Sequence, residues 1–260
     1  GNVHGVAWSP NSKYLVSASR DKTLIVWNVA EGGTRERVLT GHKDEVRCCV
    51  WSPDGQHVLS GSADKSLIVW NAESWTPIAT LHGHRGPVIA CEYSSDGLRA
   101  ASGSEDSTAK LWDTKKGSLD YGQTYHKVAT LVHHVGPVNT VSFHPDGRFC
   151  LVTGGEDNDV VLWDSTNAKI KKVLSGHTEA IRSVCWTSGG HQMISGSTDS
   201  TVKLWNPHLL EEDLSFACLS RLCALASTTA NFQQWIACGD GSGVVYLLTP
   251  IGTKRSEPTK

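Results

Sequence analysis

The chain has 260 residues, with 24 Lys plus Arg against 26 Asp plus Glu and a formal net charge of −2. That balance gives no sign of the strongly basic surface with which proteins grip a nucleic-acid backbone, so a nucleic-acid partner is not expected, although a discrete basic patch stays open. Its apolar runs, such as Leu24–Trp27, stop far short of the roughly 20 residues that a membrane helix needs.

Taken in chain order, the elements repeat. The first unit, about 1–40, opens on a strand-like run at Val3–Trp8 and continues to TLIVW, which ends at Trp27, and to the more polar RERVLT. The second, about 41–82, runs through EVRCCVW, the turn SPDG, HVLSGS, SLIVW and PIATL. The third, about 83–132, carries SSDG and TAKLW, and the fourth, about 133–175, carries PVNTVSF, HPDG, FCLVTG, DVVLW and IKKVL. The fifth, about 176–207, runs through AIRSVCW, QMISGS and TVKLW. The sixth, about 208–249, is degenerate. Its Asp240 stands six residues before Tyr246, which is read at the tryptophan's place, and Ile236 is read at the hydroxyl's place. Short runs rich in β-branched and aromatic residues, bounded by Pro-Asp-Gly turns, predict strands. The polar stretch 250–260 reads as a tail or linker, and the start at Gly1 inside a unit reads as an excerpt of a longer protein without a leader.

The phase of the repeat is tight. Trp27, Trp70, Trp112, Trp163 and Trp205 are 43, 42, 51 and 42 residues apart. Asp21, Asp64, Asp106, Asp157 and Asp199 each stand six residues earlier, and Ser17, Ser60, Ser102, Thr153 and Ser195 four before those. His42, His84, His134 and His177 precede their tryptophans by 28 or 29 residues. Four short antiparallel strands per unit cannot bury both faces alone, so neighbouring units must stack around an axis.

With its Gly-His openings and Trp-Asp or Trp-Asn endings, the sequence resembles the WD40 repeat family, clearly over about 1–206 and weakly over 207–249. The resemblance implies an all-β propeller of four-stranded antiparallel blades. Six blade-like units are visible, either a closed six-blade ring or part of a propeller with seven or more. It also implies four structural tetrads: His42–Ser60–Asp64–Trp70, His84–Ser102–Asp106–Trp112, His134–Thr153–Asp157–Trp163 and His177–Ser195–Asp199–Trp205.

A Ser, a His and an Asp together also suggest a hydrolase. Repetition in four units opposes it, because a catalytic site is needed once and does not need the tryptophan. What needs all four residues is mutual hydrogen bonding of buried polar groups. Gly239–Gly243 and Gly61–Ser66 mimic phosphate loops, but the first precedes a strand and the second has Asp64 where the motif needs glycine. The series Trp8, Trp51, Tyr93, Phe143 and Trp186 reads as packing between blades. No metal or cofactor is expected, since the eight cysteines show no paired spacing. Those cysteines, with no glycosylation sequon, point to reduced thiols in the cytoplasm, with the nucleus as the other compartment.

Function is therefore expected on loops: protein or peptide binding without catalysis. The candidates beside the tetrad anchors are Arg20, Lys43, Asp44, Arg47, Arg85, Glu105, Glu156, Glu179 and Arg182, with the basic residues toward units one and two and the acidic ones toward three and four. Arg20, Arg47 and Arg182 are the expected anchors. On the opposite face, the surplus loop Asp113–Lys127 brings Tyr121 and Tyr125, which with Trp75 make a candidate aromatic patch. The other readings are a regulatory region of a larger multidomain protein such as an NTPase and, remotely, a hydrolase.

Overall fold

The structure, a computed structural model, describes residues 1–114, 125–147, 150–207, 211–230 and 233–249. Among these residues the only regular elements are strands, and no helix is long and apolar enough to cross a membrane. Blade one is Val3–Trp8, Tyr14–Ser19, Thr23–Asn28 and Thr34–Thr40, paired antiparallel in that order. Blades two to five repeat the same order, with inner strands Val46–Trp51, Val88–Tyr93, Val138–Phe143 and Ile181–Trp186. The fourth strand of blade five is Glu211–Ala217, so this blade extends past the boundary at 207 read from the sequence. Blade six has three strands: Leu222–Ala230, Gln233–Asp240 and Val245–Leu248.

The turns between inner and second strands follow from their residues. In Ser52-Pro53-Asp54-Gly55, the Asp54 carboxylate accepts from Ser52 Oγ at 2.6 Å and Gln56 N at 3.0 Å, while Gly55 takes a φ of 69°. Glycine meets that φ without the steric cost a side chain brings. These turns mark the lower end of the propeller; the histidine loops and aspartate turns mark the upper end.

Each inner strand carries a bulge just after its first residue, where the register skips His4, Arg47, Ile89, Asn139, Arg182 and Cys223. A bulge re-aims the residue it leaves unpaired, and the upper cavity described below is built on four of these six.

Blades pack through one recurring contact. In blades two to five a glycine in the second strand leaves room for the first residue of the next inner strand, while blade one has Ala18 at this place, in one cluster with Val46. A Cβ on Gly61 would lie 2.7 Å from Val88 Cγ1, one on Gly103 2.6 Å from the Val138 carbonyl oxygen, and one on Gly154 2.5 Å from Ile181 Cγ2. Gly196 receives Leu222 in the same way. The inserted residues Val46, Val88, Val138 and Ile181 are 0% exposed. Their counterpart in blade one, Val3, is 58% exposed, and a Cβ on Gly239 of blade six would meet nothing within 4 Å. Among the described residues, both halves of this contact are thus left uncovered at the two ends of the six blades. The aromatic series shows the same break. Trp51, Tyr93, Phe143 and Trp186 are buried, and Trp51 Nε1 and Trp186 Nε1 donate to Ala7 O and Ser142 O of the preceding blades, both at 3.2 Å. Trp8 is 57% exposed, so it departs from the expected packing role.

The sixth unit's frame needs correcting by two residues. Ile236 pairs with Leu248 and Cys238 with Tyr246, as Val58 pairs with Trp70 and Ser60 with Ile68. Leu248 therefore holds the tryptophan's place and Cys238 the hydroxyl's. The reading from Asp240 was misled because Asp240 makes the same local turn bonds, to Ser242 N and Oγ at 3.0 and 2.6 Å, from the place of Ser62.

Candidate functional site

The upper end is organised by the four sets of His, hydroxyl, Asp and Trp. His42 Nδ1 lies 2.9 Å from Asp64 Oδ2, its Nε2 2.8 Å from Ser60 Oγ, and Trp70 Nε1 donates to that hydroxyl at 2.8 Å. The set at His84, Ser102, Asp106 and Trp112 has distances of 2.8, 2.7 and 2.9 Å. The set at His134, Thr153, Asp157 and Trp163 has 2.8, 2.8 and 2.9 Å, and that at His177, Ser195, Asp199 and Trp205 has 2.8 Å throughout.

The donor order follows from chemistry. A carboxylate only accepts and an indole N–H only donates, so Nδ1–H points to Asp and the hydroxyl proton points to Nε2. Burial lowers the His42, His84 and His177 pKa values against the opposing pull of their aspartates. Asp64 and Asp106 are held near 2: burial pushes up, but bonds from Ser66 or Thr108, from backbone N–H and from the imidazoles outweigh it. Ser60, Ser102, Thr153 and Ser195 are all 0% exposed. Hydroxyls with no exposed surface are placed for mutual hydrogen bonding within the sets.

What they do is lock loops. Asp64 also accepts from Lys43 N at 2.8 Å, Asp106 from Arg85 N at 2.8 Å, Asp157 from Val135 N at 2.8 Å and Asp199 from Thr178 N at 3.0 Å. Each histidine loop is thereby tied to its aspartate turn, and the residues between them sit on a stiff collar. Lys43, Asp44, Arg85, Glu105 and Glu179 are exposed on that collar.

Within it, the structure brings Arg47, Glu105, Asn139, Glu156 and Arg182 around one cavity of about 330 Å³. Arg47, Asn139 and Arg182 are bulge residues. Arg182 Nη1 pairs with Glu156 Oε1 at 2.9 Å, and Arg47 Nη2 and Arg20 Nε both pair with Glu45 at 3.0 Å. Arg47 Nε is buried without a hydrogen-bond partner among the described residues. The expected separation of basic and acidic halves is therefore replaced by mixed pairs, and Arg20 stands beside the cavity, not in its lining. Asn139 was missed because only the bulge turns it to the mouth, and the role of Glu45 as the shared partner of two arginines was not legible in the sequence.

The opposite end does not assemble the expected aromatic patch. Trp75 packs edge-on against Tyr14 and Trp51 at 5.8 and 5.9 Å, in the cluster between blades one and two. Tyr125 packs edge-on against His57 at 6.4 Å and joins the cluster between blades two and three. Tyr121 lies outside the described residues. The two aromatics thus serve different interfaces.

A different residue stands out below. Glu92, in the inner strand of blade three, accepts from Phe143 N at 3.2 Å, and burial raises its pKa to about 8 although part of its surface opens on the channel. Because the folded chain holds this proton more tightly than the unfolded one, the group's contribution is fully present below about 4.5 and is lost as pH rises through about 8. Relative to Glu92→Gln, the wild-type stability should fall over that window by up to ~1.4 kcal/mol per pH unit. Urea midpoints of both proteins from pH 5 to 8.5 check this, and parallel curves would refute it. Using the difference removes the histidines, whose lowered pKa values act in the opposite sense below pH 6.5.

Radially stacked antiparallel blades with repeated polar sets under one rim define a β-propeller repeat protein. The chain belongs to the WD40 family (WD domain, G-beta repeat), whose model matches residues 1–28, 33–71, 75–113, 125–164 and 168–206. Among curated proteins it is similar to a Drosophila melanogaster retinoblastoma-binding protein 5 homolog, at 36% identity over 46% of this chain and 24% of that protein. It is also similar to the Schizosaccharomyces pombe Set1 complex component swd1, at 36% identity over 30% of this chain and 19% of swd1. A third relative is cell division control protein 4 of Saccharomyces cerevisiae, at 31% identity over 46% of this chain and 14% of that protein. The chain thus spans less than a quarter of each relative's length.

Proposed function

We propose that this propeller is a non-catalytic scaffold for protein assembly that receives a segment of a partner protein over its upper mouth. The observation that carries the reading is the cavity of about 330 Å³ ringed by Arg47 and Arg182 on strand bulges and by Glu105 and Glu156 on the aspartate turns that the tetrads hold still. Paired charges on a preorganised rim suit a polar partner segment, since they orient it and lose little freedom on binding. The similarity to swd1, named as a component of the Set1 complex, supports the assembly role. The eight unpaired thiols support a reducing compartment, the cytoplasm or the nucleus.

Arg47→Glu with Arg182→Glu should lose at least one partner that the wild-type chain captures from cells, at an unchanged unfolding midpoint. Capture of the same set by both, compared by quantitative mass spectrometry, would refute the reading.

A further inference from the structure

The lower mouth holds a group that the architecture does not call for. Glu92 sits in the inner strand of blade three, opposite Ala101. The same register position in the other blades holds Ala7, Val50, Ser142, Cys185 and Ala226. Five of six blades therefore fill this place with a small or apolar side chain, and the interface between blades forms without a carboxyl there. Enclosing one is unfavourable unless something compensates it. Among the described residues its bonds come from Phe143 N at 3.2 Å and, weakly, Ser142 Oγ at 3.5 Å, and no cationic side chain pairs with it. His144, which lines the same cavity from blade four, is engaged with Asp146 and Gly190 O and packs against Trp186.

Glu92 is not sealed in: the residue is partly exposed and lines a cavity of about 500 Å³ at the lower end of the channel, between the inner strands of blades three to six, together with Ser142, His144, Cys185 and Ser227. An unbalanced acid on the wall of an open cavity, at a position where the repeat elsewhere does without it, is the complement of a positive charge arriving from outside.

We propose that this cavity is a subsite for one cationic side chain of a partner polypeptide, a lysine or arginine whose head group pairs with Glu92 from the lower mouth. It rests on the reading of the propeller as a protein-binding scaffold but uses the opposite end from the charged collar. Binding replaces the proton on the carboxyl with the incoming cation. The titratable groups around Glu92 are its chain neighbours Cys91 and Tyr93, whose side chains alternate to the other face of the strand, His144 with Asp146 on blade four and Cys185 on blade five, and among the described residues none is ion-paired with it.

The test is nuclear magnetic resonance titration with three N-acetylated, C-amidated tripeptides of the form glycine–X–glycine, with X lysine, arginine or norleucine. At least one cationic peptide should saturate with a Kd on the order of millimolar, while the norleucine peptide should bind at least tenfold more weakly. Glu92→Gln, and Glu92→Val as the residue blade two already carries, should each weaken the cationic peptide at least tenfold at pH 8. Affinity should rise between pH 6 and pH 8 and level above that. Equal binding of the neutral peptide, equal binding by both variants, or no saturable binding would overturn the subsite. The Arg47→Glu, Arg182→Glu chain should bind the peptides as the wild type does. Failure of the upper mouth and failure of this subsite therefore give different results.

Discussion

Ser102→Ala should be among the most damaging single-atom deletions in this chain. The hydroxyl is 0% exposed, and its loss strands the Trp112 indole N–H and the His84 Nε2, which reach it at 2.9 and 2.7 Å. Each stranded buried group costs about 1–3 kcal/mol, so the expected loss is about 2–5 kcal/mol. For a domain of this size that is a fall of roughly 5–15 °C in the thermal midpoint. Ser102→Thr is the control, since Thr153 makes the same bonds at 2.8 and 2.9 Å in blade four, and should cost much less. Calorimetry of the two variants decides it: equal losses would mean that volume, not the hydroxyl, matters.

The second large effect lies between blades. Gly103→Ala would push a methyl group to 2.6 Å from the Val138 carbonyl oxygen, a backbone atom that can retreat only if blade four moves. Overpacking of that kind costs about 1–3 kcal/mol or more. Gly239→Ala enters open space, with nothing within 4 Å, and should leave stability within about 0.5 kcal/mol of wild type. Urea midpoints measured on the pair test whether the glycines are seats for the next blade. Equal destabilisation by both substitutions would show that the effect comes from the strand's own backbone.

Much of this was legible because it repeats. Recurrence of Asp64, Ser60, His42 and Trp70 in phase marked the strands, the upper rim and the identity of the bonded partners. Where the repeat degenerates, local chemistry misled the alignment: Asp240 makes an aspartate turn two residues away from the place its relatives occupy, and only strand pairing reveals the shift. Solvent exposure at the ends was also hidden, because Val3 and Trp8 carry the same residue types as Val46 and Trp51 and differ in being left exposed among the described residues. The site was half legible. Charges beside the collar were named, but their pairing through Glu45 and Glu156 depends on bulges that turn Arg47 and Arg182 to one mouth. Glu92 looks like an ordinary polar residue in a strand until its register equivalents are lined up. Trp75 looked like an exposed anchor, yet its neighbours Tyr14 and Trp51 come from strands far apart in sequence.

The claim that the recurring sets are supports and not reactive groups is tested most directly by the imidazole tautomers. Nitrogen-15 resonance spectra at pH 8 should show His42, His84, His134 and His177 with the proton on Nδ1 and Nε2 as acceptor. A set with its proton on Nε2 would mean that the hydroxyl is not held as described and would contradict the account.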